Sequence, residues 1–311
     1  MGIALAGKAV AGMRSEAAAR PTGTRMRQTF SRASGPRGLR RRQLAARLVT
    51  ALLIIVLFLL PVLYVVMISL EPASHFLKSP MTPSASPQFG NYSYAWSQAD
   101  LARDMINTII YAVVASGLAT VLALFIAFPV ARRLVRGSSF LYALLAVGLF
   151  LPIAYIPLFV EAQKLHLYNS LLGYTLLHVE PGMPLGVVLI TAFIMSVPRE
   201  LDEAAWVDGV SYLRYLFRVI APMTAPALLI TFLYGMIQVW NDIIGPVVLL
   251  ESTSQNLFPL PMGVFNFYSI NESDYVHFAA AIVIASLPLV VLFILTQRRL
   301  IEARISGAIK G

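Results

Sequence analysis

Six apolar stretches, at residues 44–70, 106–130, 140–160, 171–197, 222–239 and 278–296, constrain this chain more than any other feature. A helix of about 20 apolar residues crosses the ~30 Å hydrocarbon core of a bilayer. The first run is interrupted only by Arg47, Thr50, Pro61, Tyr64 and Ser69, so it is long enough to do so. The fourth is broken around Glu180, Pro181, Gly182 and Pro184, and irregular backbone is not tolerated against lipid. Its helix is therefore expected to begin near Leu185. The reading is an all-α integral membrane protein with six transmembrane helices.

Composition agrees. Only 13% of residues are charged and 58% are hydrophobic, whereas roughly a quarter are charged in a soluble domain. A mean hydropathy of +0.74 likewise excludes a disordered chain. The absence of cysteine removes disulfides, a Cys zinc site, a thiol nucleophile and an Fe–S cluster. His75, His166, His178 and His277 are too dispersed for a metal site, so none is expected. A secretory signal has an apolar region of only about 7–15 residues, so the first run reads as a retained helix.

The net charge of +9 is unevenly placed. Residues 1–47 hold eleven Lys and Arg against Glu16 alone, which leaves −1 for the rest. Lys and Arg mark the cytoplasmic side of a membrane protein. With both termini inside, 21 of the 24 Lys and Arg fall in the cytoplasm, and only Lys78, Arg103 and Lys164 lie outside. Residues 1–43 read as a basic, disordered cytoplasmic tail touching anionic lipid, and 44–311 as the membrane domain, with a core at about 102–297. The tail has no recognisable nucleic-acid module, and no nucleic acid is expected.

The segment 198–222, Pro-Arg-Glu-Leu-Asp-Glu-Ala-Ala-Trp-Val-Asp-Gly-Val-Ser-Tyr-Leu-Arg-Tyr-Leu-Phe-Arg-Val-Ile-Ala-Pro, carries the clearest local signals. Ser196 can cap a helix, Pro198 suits its first turn, and Glu200, Asp202 and Glu203 complement its dipole. Gly209 suits a left-handed stop, Ser211 can begin a second helix, and Pro222 marks the start of the fifth span. The small Ala204 and Ala205 permit close approach by another protein, while Glu203 and Asp208 offer carboxylates to a basic partner. A capped connector with no partner satisfies the same residues.

Glu203-Ala204-Ala205, Gly209 four residues on and Pro222 thirteen beyond resemble the EAA loop of permease subunits in binding-protein-dependent ABC importers. The family usually ends this loop with Ile-x-Leu-Pro; here it reads Val219-Ile220-Ala221-Pro222. Leu151-Pro152, Ile156-Pro157-Leu158, the run 165–173, Asp208-Gly209, Trp240-Asn241-Asp242 and the terminal Gly307-Ala308-Ile309-Lys310-Gly311 are similar to the carbohydrate-uptake branch, on the side of the smaller maltose-type subunit. The similarity covers roughly residues 45–311.

That resemblance implies a type I ABC importer permease fold and a subunit that is not itself an enzyme. It implies a second permease subunit, an ATP-binding-cassette ATPase dimer and an extracytoplasmic sugar-binding protein as partners, in the cytoplasmic membrane of a prokaryote. ATP and magnesium would belong to the ATPase, with no cofactor in this chain. Glu203 would face a basic residue of the ATPase, Ala204 and Ala205 would seat the coupling helices, Gly209 would form the bend, and residues 307–311 would lie against the ATPase pair. The cargo would be a sugar or sugar derivative; a non-sugar solute is the alternative. An ion-coupled secondary transporter is a further one, although the spans carry almost no ionisable residues and no internal repeat.

Gln238, Asn241 and Asp242 lie at i, i+3 and i+4 near the end of the fifth run. With Trp240 able to stack on a sugar face, they are candidate substrate-pathway residues. The same residues suit an interfacial anchor. In the outer loop 245–277, Phe258, Pro259, Pro261, Phe265, Phe267 and Tyr268 offer apolar surface for a binding protein or for the mouth of the bundle. The stretch 2–9 lacks the Ser or Thr of a P-loop, with Ala9 in its place.

Overall fold

The computed structural model describes residues 36–268 and 274–308; the tail residues 1–35, residues 269–273 and the final Ile309-Lys310-Gly311 lie outside it. The chain divides at residues 56/57 into two units. In the first, helix α1 (Pro36–Ile54) begins eight residues before the expected tail boundary. A π turn, Ile55–Leu59, follows it. The second unit contains α2 (Leu60–Ser69), α3 (Ala73–Lys78), α4 (Gly90–Gln98), α5 (Leu101–Arg132), α6 (Ser138–Gly148), α7 (Tyr155–Lys164), α8 (Leu171–Leu177) and α9 (Val179–Met195). After these come α10 (Glu200–Val207), α11 (Tyr212–Tyr215), α12 (Ala221–Met223), α13 (Ala225–Trp240), α14 (Ile244–Leu249), α15 (Leu260–Phe265) and α16 (Tyr275–Ala308). Among the described residues there is no strand.

Four helical stretches are long and apolar enough to cross a membrane: Arg42–Ser69, Leu101–Arg132, Leu171–Met195 and Tyr275–Arg298. A bent pair, Tyr212–Met223 with Ala225–Trp240, makes a fifth. The stretch 140–160 is not the single helix its hydropathy predicts. It is α6 and α7, separated by turn and irregular backbone over 149–154 that includes Pro152, a residue that disfavours helix in the one before it. At ~1.5 Å per residue, the 11 residues of α6 fall short of a bilayer.

The fourth helix departs from expectation in the other direction. It starts at Val179, not near Leu185, and continues through Pro184. Pro181 lies in its first turn, where no N–H has an intrahelical partner to lose.

Helix α5 is the hub of the second unit. It packs along α9 and α13 and touches α4, α6, α8 and α15. Most of the middle of its buried face is small, with Ala112, Ala115, Ser116, Ala119, Thr120, Ala123, Ala127 and Ala131, while Leu101, Tyr111, Leu124 and Phe128 are its larger buried members. Its exposed face is large and apolar, with Ile106, Ile109, Val113, Val114 and Val121. That is the reverse of a soluble helix and the arrangement membrane helices use, since lipid already satisfies bulky apolar groups and close packing joins the helices. Two glycines permit the approach. A methyl at Gly186 would lie 2.6 Å from Thr231 and 2.8 Å from Ala123, and one at Gly235 would lie 2.7 Å from Ser116.

Candidate functional site

The segment 198–222 folds as two short helices across the end of the bundle. Glu200, Asp202 and Glu203 occupy the first turn of α10, where they complement its dipole. Ser196 does not cap α10; it ends α9, its hydroxyl donating to the Phe193 carbonyl at 2.7 Å. Gly209 adopts φ +65°, the left-handed stop expected of it. Val210 N–H then returns to Ala205 O at 3.0 Å.

Pro222 is not the point where the fifth span starts. The chain continues along α12 and turns by 84° at Thr224, two residues later. There the Thr224 hydroxyl takes the Ile220 carbonyl at 2.9 Å, and Pro226 brings no N–H to the new helix.

Glu203, Ala204, Asp208, Gly209 and Pro222 are all exposed on this ledge, whereas Ala205 turns inward against the core. The step is therefore made by Ala204 alone. Beside Glu203 stand two apolar side chains that the sequence reading passed over, Trp206 at 73% and Val207 at 88% exposed. Phe128, Leu134, Arg199, Glu203 and Trp206 border a cavity of about 390 Å³. A carboxylate next to uncovered apolar surface and a recess is what a protein partner can grip.

The ledge is fixed to the hub. Arg132, the last residue of α5, directs Nε to Asp202 Oδ2 at 2.7 Å and Nη2 to Oδ1 at 3.3 Å, while Nη1 donates to Val197 O at 3.1 Å. The Tyr215 hydroxyl of α11 also donates to Asp202. The side chains of Arg132 and Asp202 are only 5% and 17% exposed. The guanidinium fork thus ties α5 to α10, a planar geometry that lysine does not reproduce, and Asp202 extends the tie to α11.

A second polar cluster lies at the far end of α13. Asp242 accepts from Gly245 N–H at 2.9 Å and from the Tyr174 hydroxyl at 3.1 Å, and its Oδ2 is 3.0 Å from His178 Nε2. His178 Nδ1 faces the Tyr174 carbonyl at 3.0 Å. Both ring nitrogens therefore meet oxygen atoms, one of the Tyr174 carbonyl and one of the Asp242 carboxylate. Burial works to raise the Asp242 pKa, but the hydrogen bonds from His178, Gly245 and Tyr174 outweigh it and hold the carboxyl below its ordinary value.

Gln238, Asn241 and Asp242 line one cavity of about 310 Å³ with Tyr155 and His178. Asn241 donates an amide N–H to Ile237 O at 2.8 Å. Trp240 does not join them. It is 6% exposed and donates to Ala285 O at 3.0 Å, tying α13 to α16 on the other side. Tyr174 and His178 are the members sequence reasoning missed, since they precede Asp242 by 68 and 64 residues.

The outer loop is mostly packed onto α5. Asn107 holds the carbonyls of Asn256 and Phe258 at 2.9 and 3.0 Å, the Tyr111 hydroxyl reaches Leu257 O at 2.9 Å, and Thr108 accepts from Leu260 N–H at 2.7 Å. Phe258 is buried, whereas Phe265, Tyr268 and Tyr275 are exposed.

The pattern of the family described as "Binding-protein-dependent transport system inner membrane component" matches residues 118–306, which include both clusters. The chain belongs to this family. Among curated relatives of this binding-protein-dependent permease, the diacetylchitobiose uptake system permease protein NgcG of Streptomyces coelicolor is 30% identical over 256 residues, covering 80% of this chain and 84% of that protein. The melibiose/raffinose/stachyose import permease protein MelC of Bacillus subtilis is 30% identical over 230 residues, 73% of this chain and 83% of that protein. The trehalose transport system permease protein SugB of Mycobacterium tuberculosis is 29% identical over 255 residues, 81% and 93%. A chain of a bacterial ABC transporter that imports the acidic polysaccharide alginate superposes with a TM-score of 0.72 at 19% identity, over 86% of this permease and 98% of that chain. The expected all-helical permease fold is the fold they share.

Proposed function

We propose that this permease is one subunit of an ATP-driven importer in a prokaryotic cytoplasmic membrane and carries a sugar or sugar derivative inward. The observation that carries the reading is the exposed ledge of α10, with Glu203 and Ala204 beside Trp206, locked through Asp202 to the end of α5. The reading includes six crossings with both termini in the cytoplasm, the α6–α7 pair forming a broken third crossing. A second permease subunit completes the pathway, and a pair of ATPases binds the ledge and holds the ATP and magnesium. Relatives named for diacetylchitobiose, melibiose and trehalose support a sugar as cargo. A second alginate transporter structure, with a TM-score of 0.59, holds a periplasmic protein bound to an alginate pentasaccharide, which supports an external binding protein as partner.

Movement of the ATPases displaces α10. Because Asp202 is held by Arg132, the displacement passes into α5 and so to α9 and α13, whose residues flank the Gln238–Asn241–Asp242 cavity. Amide and carboxylate groups there match the hydroxyls of a sugar, and partner-bound ATP supplies the energy.

Glu203→Arg tests this in the assembled transporter. Uptake is abolished and the ATPase is lost on purification, while membrane insertion and the second permease are retained. Normal uptake with the ATPase still bound refutes the docking role.

A further inference from the structure

A third polar cavity lies where α5 ends, α6 begins and α9 nears its last turn, and neither the ledge nor the pathway uses it. Its volume is about 340 Å³, and Arg133, Ser139, Tyr142 and Thr191 line it. None of these four side chains makes a hydrogen bond or ion pair to any described residue, and no carboxylate lines the space. Thr191 is the telling member. It is 3% exposed, and its hydroxyl, which in a helix ordinarily returns to a carbonyl one turn back, has no partner. A buried hydroxyl left so is costly unless something fills the role. The first turn of α6 adds unpaired backbone N–H groups and the positive end of an 11-residue helix.

We infer that this cavity holds the phosphate of an anionic phospholipid. Four uncommitted donors, one of them permanently charged, fit a singly charged phosphate diester; a free phosphate dianion would bring a second charge that one arginine does not neutralise. The surroundings also fit acyl chains. Phe140, Leu144 and Val147 leave an apolar, exposed face along α6, and Met195 is exposed beside the mouth. Thr191 lies four residues before the end of α9, or ~6 Å along the axis, which is headgroup depth. Basic pockets between membrane helices on the cytoplasmic side take anionic headgroups in this way. Only the leaflet depends on the orientation proposed above; the lipid class does not.

The experiment uses the intact transporter, purified in mild detergent and returned to nanodiscs of phosphatidylglycerol or phosphatidylcholine. The readouts are phosphatidylglycerol retained per complex, by mass spectrometry, and the melting temperature. The wild type retains phosphatidylglycerol through purification and melts higher in it than in phosphatidylcholine. Arg133→Gln loses retention by about ten-fold, the equivalent of one charge-assisted hydrogen bond. The near-isosteric Thr191→Val lowers it by a smaller factor with its melting temperature in phosphatidylcholine unchanged. Arg136→Gln, which removes a neighbouring charge outside the cavity, leaves retention as in the wild type. Equal retention in all variants overturns the site, and an equal loss with Arg136→Gln reduces it to diffuse surface charge. Stabilisation by inorganic phosphate alone, indifferent to lipid class, replaces the lipid by a free anion and also overturns the proposal.

Discussion

Two aspartates stand at the two polar clusters of this permease, and each pairs with a nitrogen side chain and a tyrosine hydroxyl. At the ledge Asp202 meets Arg132 and Tyr215; at the cavity Asp242 meets His178 and Tyr174. The plans are alike and the nitrogen partners are not. Arginine stays charged and grips with a planar fork, so the ledge joint is rigid. The imidazole meets its partner through a single ring nitrogen at 3.0 Å, and that partner also borders an open space with Gln238 and Asn241. Under the proposed function, the first joint passes on force and the second borders the cargo.

The largest break in that comparison is Arg132→Gln. Removing one partner of a buried ion pair costs about 3–5 kcal/mol because the other charge is stranded. Thermal unfolding in detergent should show it, and ATP hydrolysis should continue while uptake falls. Asp242→Asn comes next, at about 1–3 kcal/mol, since His178 and Tyr174 lose a charged acceptor. There the effect should appear in the apparent affinity for cargo, with the ATPase still bound.

Acid separates the joints further. The folded pKa of Asp242 lies below its unfolded value, so its contribution is full above the ordinary carboxylate pKa of about 3.9 and is lost as pH falls through the lower folded value. A melting series from pH 6 to acid should show that loss, and Asp242→Asn should remove that component of it. Smallest is Trp240→Phe. It deletes one hydrogen bond to Ala285, about 0.5–1.5 kcal/mol, and should leave cargo affinity unchanged because Trp240 faces away from the cavity. A change in affinity would return the indole to the pathway.

What the sequence discloses follows the range of the interaction. Hydropathy located the helices that became α5, α9, α13 and α16, and the spacing from Glu203 to Gly209 marked α10 and its left-handed stop. These are local properties, fixed within a turn or two. The break at Leu151-Pro152 was present as a proline, but uninterrupted hydropathy across 140–160 concealed it. The helix through Pro184 erred in the opposite sense, because tertiary packing against α5 overrides a local breaker.

The pairs were illegible for a different reason. Arg132 and Asp202 are 70 residues apart and His178 and Asp242 are 64 apart, so nothing in local spacing links them. Arg132 reads as a topology charge and Asp202 as a helix-dipole partner until the fold brings them together. Trp240 reads as a sugar platform until its indole N–H is seen to be spent on Ala285.

The central claim is that α10 is where the ATPase grips this subunit. The chain has no cysteine, so a single one at Ala204 can be cross-linked without background. In membranes holding the assembled transporter, Ala204→Cys should form a covalent product with the ATPase, whereas a cysteine at Phe140, on the exposed apolar face of α6, should not. A product from Phe140, with none from Ala204, would contradict the account.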